Sequence, residues 1–241
     1  MRLSRGLPAA ACLLLAACAA GPSPAPATPS GSSSPSLSSA PLAPTAGARP
    51  TAAPAPSGYL AVPTAFGVEL TPGLYWSAPP FDLGFPFEVD QTGWVAGHLN
   101  GEFFDLQRHE GTPGGSLPLN MVGFGLPLTI QGATDIPVEE LTPAAAVAVL
   151  EARTNVETTN VTELELFGRQ AVRVDLHAPN DSTPVLAGDN GTFAMSADKD
   201  VRLAFIPLDG ALLIALVQSA PDNLEAAWAE ALPILESAVL P

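Results

Sequence analysis

The chain has 241 residues, with 24 Asp and Glu against nine Lys and Arg, a formal charge of −15. So acidic a surface repels phosphate backbones, and this excludes nucleic acid as a partner. The two cysteines, Cys12 and Cys18, both precede every acidic residue, so no internal disulfide can staple the remainder and a hydrophobic core must hold it.

At the N-terminus, Arg2 and Arg5 precede an apolar stretch, residues 7–17. That stretch is about half the ~20 residues a helix needs to cross a bilayer. A charged start, a short apolar run and small residues before a cysteine have the layout of an export signal. Leu15-Ala16-Ala17-Cys18 resembles the lipobox of bacterial lipoproteins. That resemblance implies a signal peptide at residues 1–17, cut before Cys18, and a diacylglyceryl group on the Cys18 thiol, with a fatty acyl chain such as palmitate on the freed amine. The lipid bilayer is then a partner through acylated Cys18. The location it implies is the extracytoplasmic face of the cell membrane, or the outer membrane in a diderm. Two or three acyl chains, at about 0.8 kcal/mol per buried methylene, hold a protein firmly. Loss of Arg2 and Arg5 with the signal leaves seven bases against 24 acids, a formal charge of −17.

Residues 18–57 form the second segment, almost wholly Pro, Ser, Ala, Thr and Gly, with Arg49 the only charge. Nothing in it can build a core, so it reads as a disordered tether. Interleaved prolines bias it toward extended polyproline conformations, with a reach between roughly 35 Å as a coil and roughly 120 Å fully extended.

Residues 58–241 read as a single globular α+β domain, an antiparallel sheet with two or more helices packed against it. Strands are expected at residues 85–89, 102–107 and 117–124. Thr142-Pro143 offers an N-cap followed by proline at the first helical position, and the Ala-rich run behind it predicts a helix to Arg153. Residues 164–167 and 171–177 flank Gly168-Arg169 as a hairpin, with Val172, Val174 and Leu176 on its apolar face. Asp189-Asn190-Gly191 reads as a tight turn. Residues 201–207 and 211–219 flank Asp209-Gly210, a strong hairpin signal. There Val201, Leu203 and Phe205 face one way, while Arg202 points oppositely to water or to an acid. Leu224, Trp228, Ala231, Leu235 and Val239 recur at helical spacing behind Asp222 and Glu225, a capping-box variant, with Pro233 expected to kink the helix.

The segment from Phe85 to Trp94, the mid-chain helix, the turn Leu166-Phe167-Gly168-Arg169-Gln170-Ala171, the Asp209 hairpin and a terminal helix ending Ile234-Leu235-Glu236-Ser237 carry a second resemblance. In that order they resemble the extracytoplasmic domains of bacterial lipoproteins and the PsbP-like fold. The resemblance implies a sandwich architecture and an accessory or binding role in the cell envelope rather than catalysis.

The residues themselves offer little chemistry. Gly114-Gly115-Ser116 lacks the second glycine of a nucleophile elbow. His98, His109 and His177 each have a local acid, Glu102, Glu110 and Asp175, but no close ligand pair of the kind zinc needs. Asp198-Lys199-Asp200 and Asp189-Asn190-Gly191 lack the layout of an EF-hand loop. No catalytic residue, metal ligand or cofactor is therefore assigned. Tyr75, Trp76, Phe81 and Trp94, within the densest aromatic region, are the candidate binding surface, with core packing as the ordinary alternative. The expected function is a membrane-anchored, non-enzymatic binding or accessory module whose candidate partners are an envelope protein or a glycan. The alternative is a carboxylate-dependent hydrolase of cell-wall or extracellular glycans, which requires two acids at a suitable separation in one concave site.

Overall fold

A computed structural model describes residues 54–109, 120–132 and 134–241. The signal peptide, Cys18, the tether as far as residue 53, Glu110 and Gly114-Gly115-Ser116 lie outside the described residues.

Three short strands, β1 (Leu60–Ala61), β2 (Gly73–Trp76) and β3 (Pro86–Val89), form a small sheet in which β2 pairs parallel with β1 and antiparallel with β3. β4 (Val95–Leu99), β5 (Phe103–Arg108) and β6 (Asn120–Gly125) begin a larger antiparallel sheet. Next come β7 (Thr129–Ile130), β8 (Ile136–Pro137), a 3-10 turn at Val138–Glu140 and helix α1 (Pro143–Glu151). The hairpin of β9 (Glu157–Leu166) and β10 (Arg169–His177) is followed by a second, β11 (Thr183–Gly188) and β12 (Gly191–Met195). β11 also pairs with β7, giving a four-stranded sheet ordered β12-β11-β7-β8. Finally β13 (Asp200–Leu208) and β14 (Ala211–Ser219) enter between β6 and β10, completing a seven-stranded sheet ordered β4-β5-β6-β14-β13-β10-β9, before helix α2 (Leu224–Ser237).

The large sheet is covered on both faces, which is why its central strands read as nearly continuous apolar runs. Alternation sends Val201, Leu203, Phe205, Leu212, Ile214 and Leu216 to one face, where they pack with α1 and the four-stranded sheet. Ala204, Ile206, Leu213, Ala215 and Val217 go to the other face, against α2 and the small sheet. On that second face Phe81, Phe85, Phe87, Phe104 and Phe124 are fully buried. Phe104 stacks on Phe124 at 4.9 Å and takes the edge of Phe81 at 5.0 Å, geometries that aromatic quadrupoles favour.

Thr142 caps α1 as expected, its Oγ1 accepting from the Ala145 amide, but the helix stops at Glu151. Arg153 leaves it to donate from Nη1 to the carbonyls of Gln131 and Pro184, both at 2.6 Å, tying α1 to the four-stranded sheet. The Asp209-Gly210 loop joins β13 to β14 with Leu208 opposite Ala211. In the β9–β10 hairpin the turn is one residue earlier than expected: Leu166 pairs with Arg169, and Phe167 and Gly168 form the loop with φ of 56° and 69°. Two positive φ values are what a type I′ turn demands, and they match the twist of the flanking strands. The expected capping box at α2 does not form. Asn223 is the N-cap, without a side-chain bond, and Glu225 turns instead to Arg202. α2 continues through Pro233.

Candidate functional site

A cavity of about 390 Å³ opens between β5–β6 of the large sheet and the β11–β12 hairpin. It exists because the alternation of β6 places Met121, Gly123 and Gly125 on the covered face, so two successive positions present no side chain. The same alternation on β5 puts Phe103, Asp105 and Gln107 on this face and Phe104 and Leu106 in the aromatic core behind it. From the opposite side β11 and β12 contribute Leu186 and Phe193, cross-strand partners on the inner face of the hairpin. Phe103 and Phe193 meet at 6.1 Å between ring centroids and make one apolar wall.

The charged groups of the wall are committed to structure. Glu102, 5% exposed, reaches across to the β11–β12 turn and accepts the amides of Asp189 (2.7 Å) and Asn190 (2.9 Å) on its two oxygens. Gly188 is required there, because a Cβ on it would overlap the Glu102 carboxylate. Asn100 shapes the approach, its Oδ1 accepting the amides of Glu102 and Phe103, both at 2.8 Å. Asp105, 1% exposed, occupies the bulge of β4 where the register shifts between Ala96 and Leu99. It accepts the unpaired amide of His98 and, at 3.0 Å, Nε2 of Gln107. Its carboxylate lies where a Cβ on Gly97 would stand. Gln107 Oε1 in turn meets Nε2 of His109 at 2.9 Å. The hydrogen bond to Asp105 raises the pKa of the His98 imidazole, against a smaller opposing effect of burial.

The second polar cluster lies on the other face of the sheet, beneath α2. Arg202 is fully buried and forms a two-pronged pair with Asp175, Nε to Oδ1 at 2.6 Å and Nη2 to Oδ2 at 2.7 Å. Glu225, in the first turn of α2, accepts from Nη2 at 2.6 Å and Nη1 at 3.1 Å, and the Trp228 ring lies 5.4 Å from the guanidinium. Burial works against the Arg202 charge, yet the bonds to Asp175 and Glu225 outweigh it and hold its pKa above the usual value. The same bond to Arg202 lowers the Glu225 pKa. This cluster fastens α2 to β13 and β10, and every charge at its centre has a partner.

The residues singled out from the sequence fall as follows. Tyr75, Phe81 and Trp94 are buried at 3%, 0% and 1% exposure, so they cannot serve as the candidate binding surface; they are core. Trp76 keeps partial exposure, wedged between the Tyr59 ring at 5.8 Å and Gly84. The segment is apolar and dense because it fills the space between the small sheet, β5 and α2. His98 pairs with Asp105 rather than Glu102, and His177 with Asp200 at 2.8 Å rather than Asp175. Arg202 does find an acid, as its position opposite the apolar face requires. Among the described residues no group of three or more His, Cys, Asp or Glu is placed to hold a metal ion. The cavity escapes a reading of the sequence, since its walls come from segments far apart in the chain. The one local signal is the pair Gly123 and Gly125 interrupting a strand.

The fold and site define a mostly antiparallel α+β domain with a mixed polar and apolar cavity on one face of its large sheet. Its likenesses among solved structures are distant. Cyanobacterial PsbP (CyanoP) from Synechocystis is similar at 10% identity and a TM-score of 0.40, over 73% of this chain and 95% of that one. The Ran-binding protein Mog1p of Saccharomyces cerevisiae is similar at 9% identity and 0.39, over 70% and 95%. LpqN, involved in cell envelope biogenesis of Mycobacterium tuberculosis, is similar at 10% identity and 0.29, over 71% and 85%. No protein-family model and no curated protein matches the chain. Among the described residues no helix is long and apolar enough to cross a membrane.

Proposed function

We propose that this protein is a lipid-anchored module of the cell envelope that binds a ligand in the cavity between β5–β6 and β11–β12. The observation that carries this reading is a preformed cavity whose two carboxylates, Glu102 and Asp105, already receive two hydrogen bonds each from the protein itself. A cavity of about 390 Å³ with an aromatic wall and a few polar groups is of the size and makeup that ligand sites have. The lipobox-like Leu15-Ala16-Ala17-Cys18 supports an anchor at acylated Cys18 on the extracytoplasmic face, and the Pro-rich segment behind it supports a tether. The hydrolase alternative needs one acid free to protonate a leaving group and a second free to attack or to activate water. The bonds already made by Glu102 and Asp105 argue against it.

The test uses the full-length chain expressed in a bacterial host. Mass spectrometry of the membrane fraction should find Cys18 as the first residue, bearing acyl chains, and Cys18→Ser should leave the protein unprocessed and unacylated. Envelope material should be retained by the native chain and lost on Gly125→Leu, which fills the cavity from a β6 position where a Cβ meets only ordinary contacts. An unmodified thiol would overturn the anchor. Equal retention by both chains would overturn the cavity as the binding site.

A further inference from the structure

We infer that the ligand of this cavity is a neutral sugar ring, seated flat on the Phe103–Phe193 wall and held by carboxamide groups; the inference rests on the binding role proposed above. The first ground is the charge around the cavity. Among the described residues no lysine or arginine lines it, and the one basic side chain there, His98, is already paired with Asp105, so an anionic ligand would find no free cation and the buried Glu102 and Asp105 would oppose it. Those carboxylates are no better suited to a cationic ligand, because their oxygens are engaged by the amides of Asp189, Asn190 and His98 and by Gln107.

The second ground is the set of groups left over. Gln218, at the end of β14, and Asn190, at the β11–β12 turn, line the cavity with neutral carboxamides. A carboxamide both donates and accepts, which matches the alternating demands of a polyhydroxylated ring. The half-buried Phe103 and Phe193 add an apolar surface of ring size to the same cavity, with Met121 and Leu186 also in its lining. A sugar ring is the common neutral ligand that carries an apolar C–H face and a hydroxyl rim together. An aliphatic chain would leave the amides of Gln218 and Asn190 without partners once water was displaced, a cost of about 1–3 kcal/mol each.

Isothermal titration of the full-length chain, held in a detergent without a sugar headgroup, tests this. The probes are maltose and cellobiose as neutral sugars, glucuronate and glucosamine as charged ones, and n-octanol as an apolar one. At least one neutral disaccharide should bind saturably and outcompete both charged sugars by tenfold or more. Phe193→Ala and Gln218→Ala should each weaken it at least tenfold, and Gly125→Leu should abolish it while far-UV circular dichroism stays native. Binding of octanol or glucosamine alone, lost on Gly125→Leu, would overturn the sugar assignment and leave the cavity as a binding site. Silence from both neutral sugars, or sugar binding indifferent to all three substitutions, would overturn the inference, while retention of envelope material judges the binding role separately.

Discussion

At the scale of single residues, the buried arginine is the most consequential. Arg202 has lost its water entirely, so its charge is tolerable only because Asp175 and Glu225 surround it, and the reverse holds for Asp175. Arg202→Ala should therefore destabilise the fold by about 3–5 kcal/mol in urea unfolding, chiefly by stranding Asp175. Replacing both partners, Arg202→Met with Asp175→Leu, should recover much of that loss; a double variant no better than Arg202→Ala would show that the pair does more than neutralise itself. His98 acts in the opposite regime, its side chain largely in water and its pKa raised by Asp105. A raised folded value means the stabilisation is fully present below the unfolded value near 6.5 and fades as pH climbs through the folded one. Thermal midpoints of the native chain should thus drop modestly between pH 6 and pH 8, and His98→Ala should flatten that slope. An unchanged slope would remove His98 from the account.

At the scale of elements, β11 is held by its pairing with β7 and by Arg153, while the turn of the β11–β12 hairpin is fixed by the Glu102 side chain. β12 is an edge strand, and the clasp from Glu102 to the Asp189 and Asn190 amides fixes the turn that forms the cavity rim. Glu102→Gln puts an NH₂ against an amide donor, so it should cost about 1–3 kcal/mol and speed hydrogen exchange at Asp189 and Asn190 far more than in β13–β14. Gly188→Ala should act alike, because its Cβ overlaps the same carboxylate. Protection of the turn unchanged in both would mean the hairpin is held by its pairing to β7 and by Arg153 alone. The Glu102 clasp also marks the limit of what the sequence discloses. Local signals sufficed for Thr142-Pro143 at α1, Asp209-Gly210 between β13 and β14, and the alternation of Val201, Leu203 and Phe205, because each depends on neighbours within a few residues. Around the cavity, β5 and β6 correspond to the strands expected at residues 102–107 and 117–124, whereas the remaining strands are less legible. β11 carries Pro184, β12 opens on Gly191, and β4 holds Gly97 in a bulge, and each of these residues weakens a strand pattern. The Glu225 signal misled for a related reason: a buried arginine from β13 was a stronger partner than the helix's own amides, and tertiary pairing overrode the local cap.

At the scale of the whole domain, the large sheet serves two cores at once. Leu213, Ala215 and Val217 of β14 belong to the core under α2, while Leu212, Ile214 and Leu216 of the same strand belong to the core under α1. A strand cannot keep its pairing on one face and lose it on the other, so the two cores should melt together although they share no side chain. The tryptophans make this testable, since Trp94 and Trp228 both sit in the α2 core. Leu150→Ala opens a cavity at a fully buried position of α1 in the other core and should cost about 2–5 kcal/mol. If the sheet couples the cores, tryptophan fluorescence and far-UV circular dichroism should shift to the same lower urea midpoint, despite the distance of the substitution from either ring. If the fluorescence midpoint stays at its native value while the dichroism moves, the faces unfold separately. The rigidity proposed for the cavity, which lies on the α1 face, would then have to come from the Glu102 clasp and the four-stranded sheet without help from the aromatic core behind them.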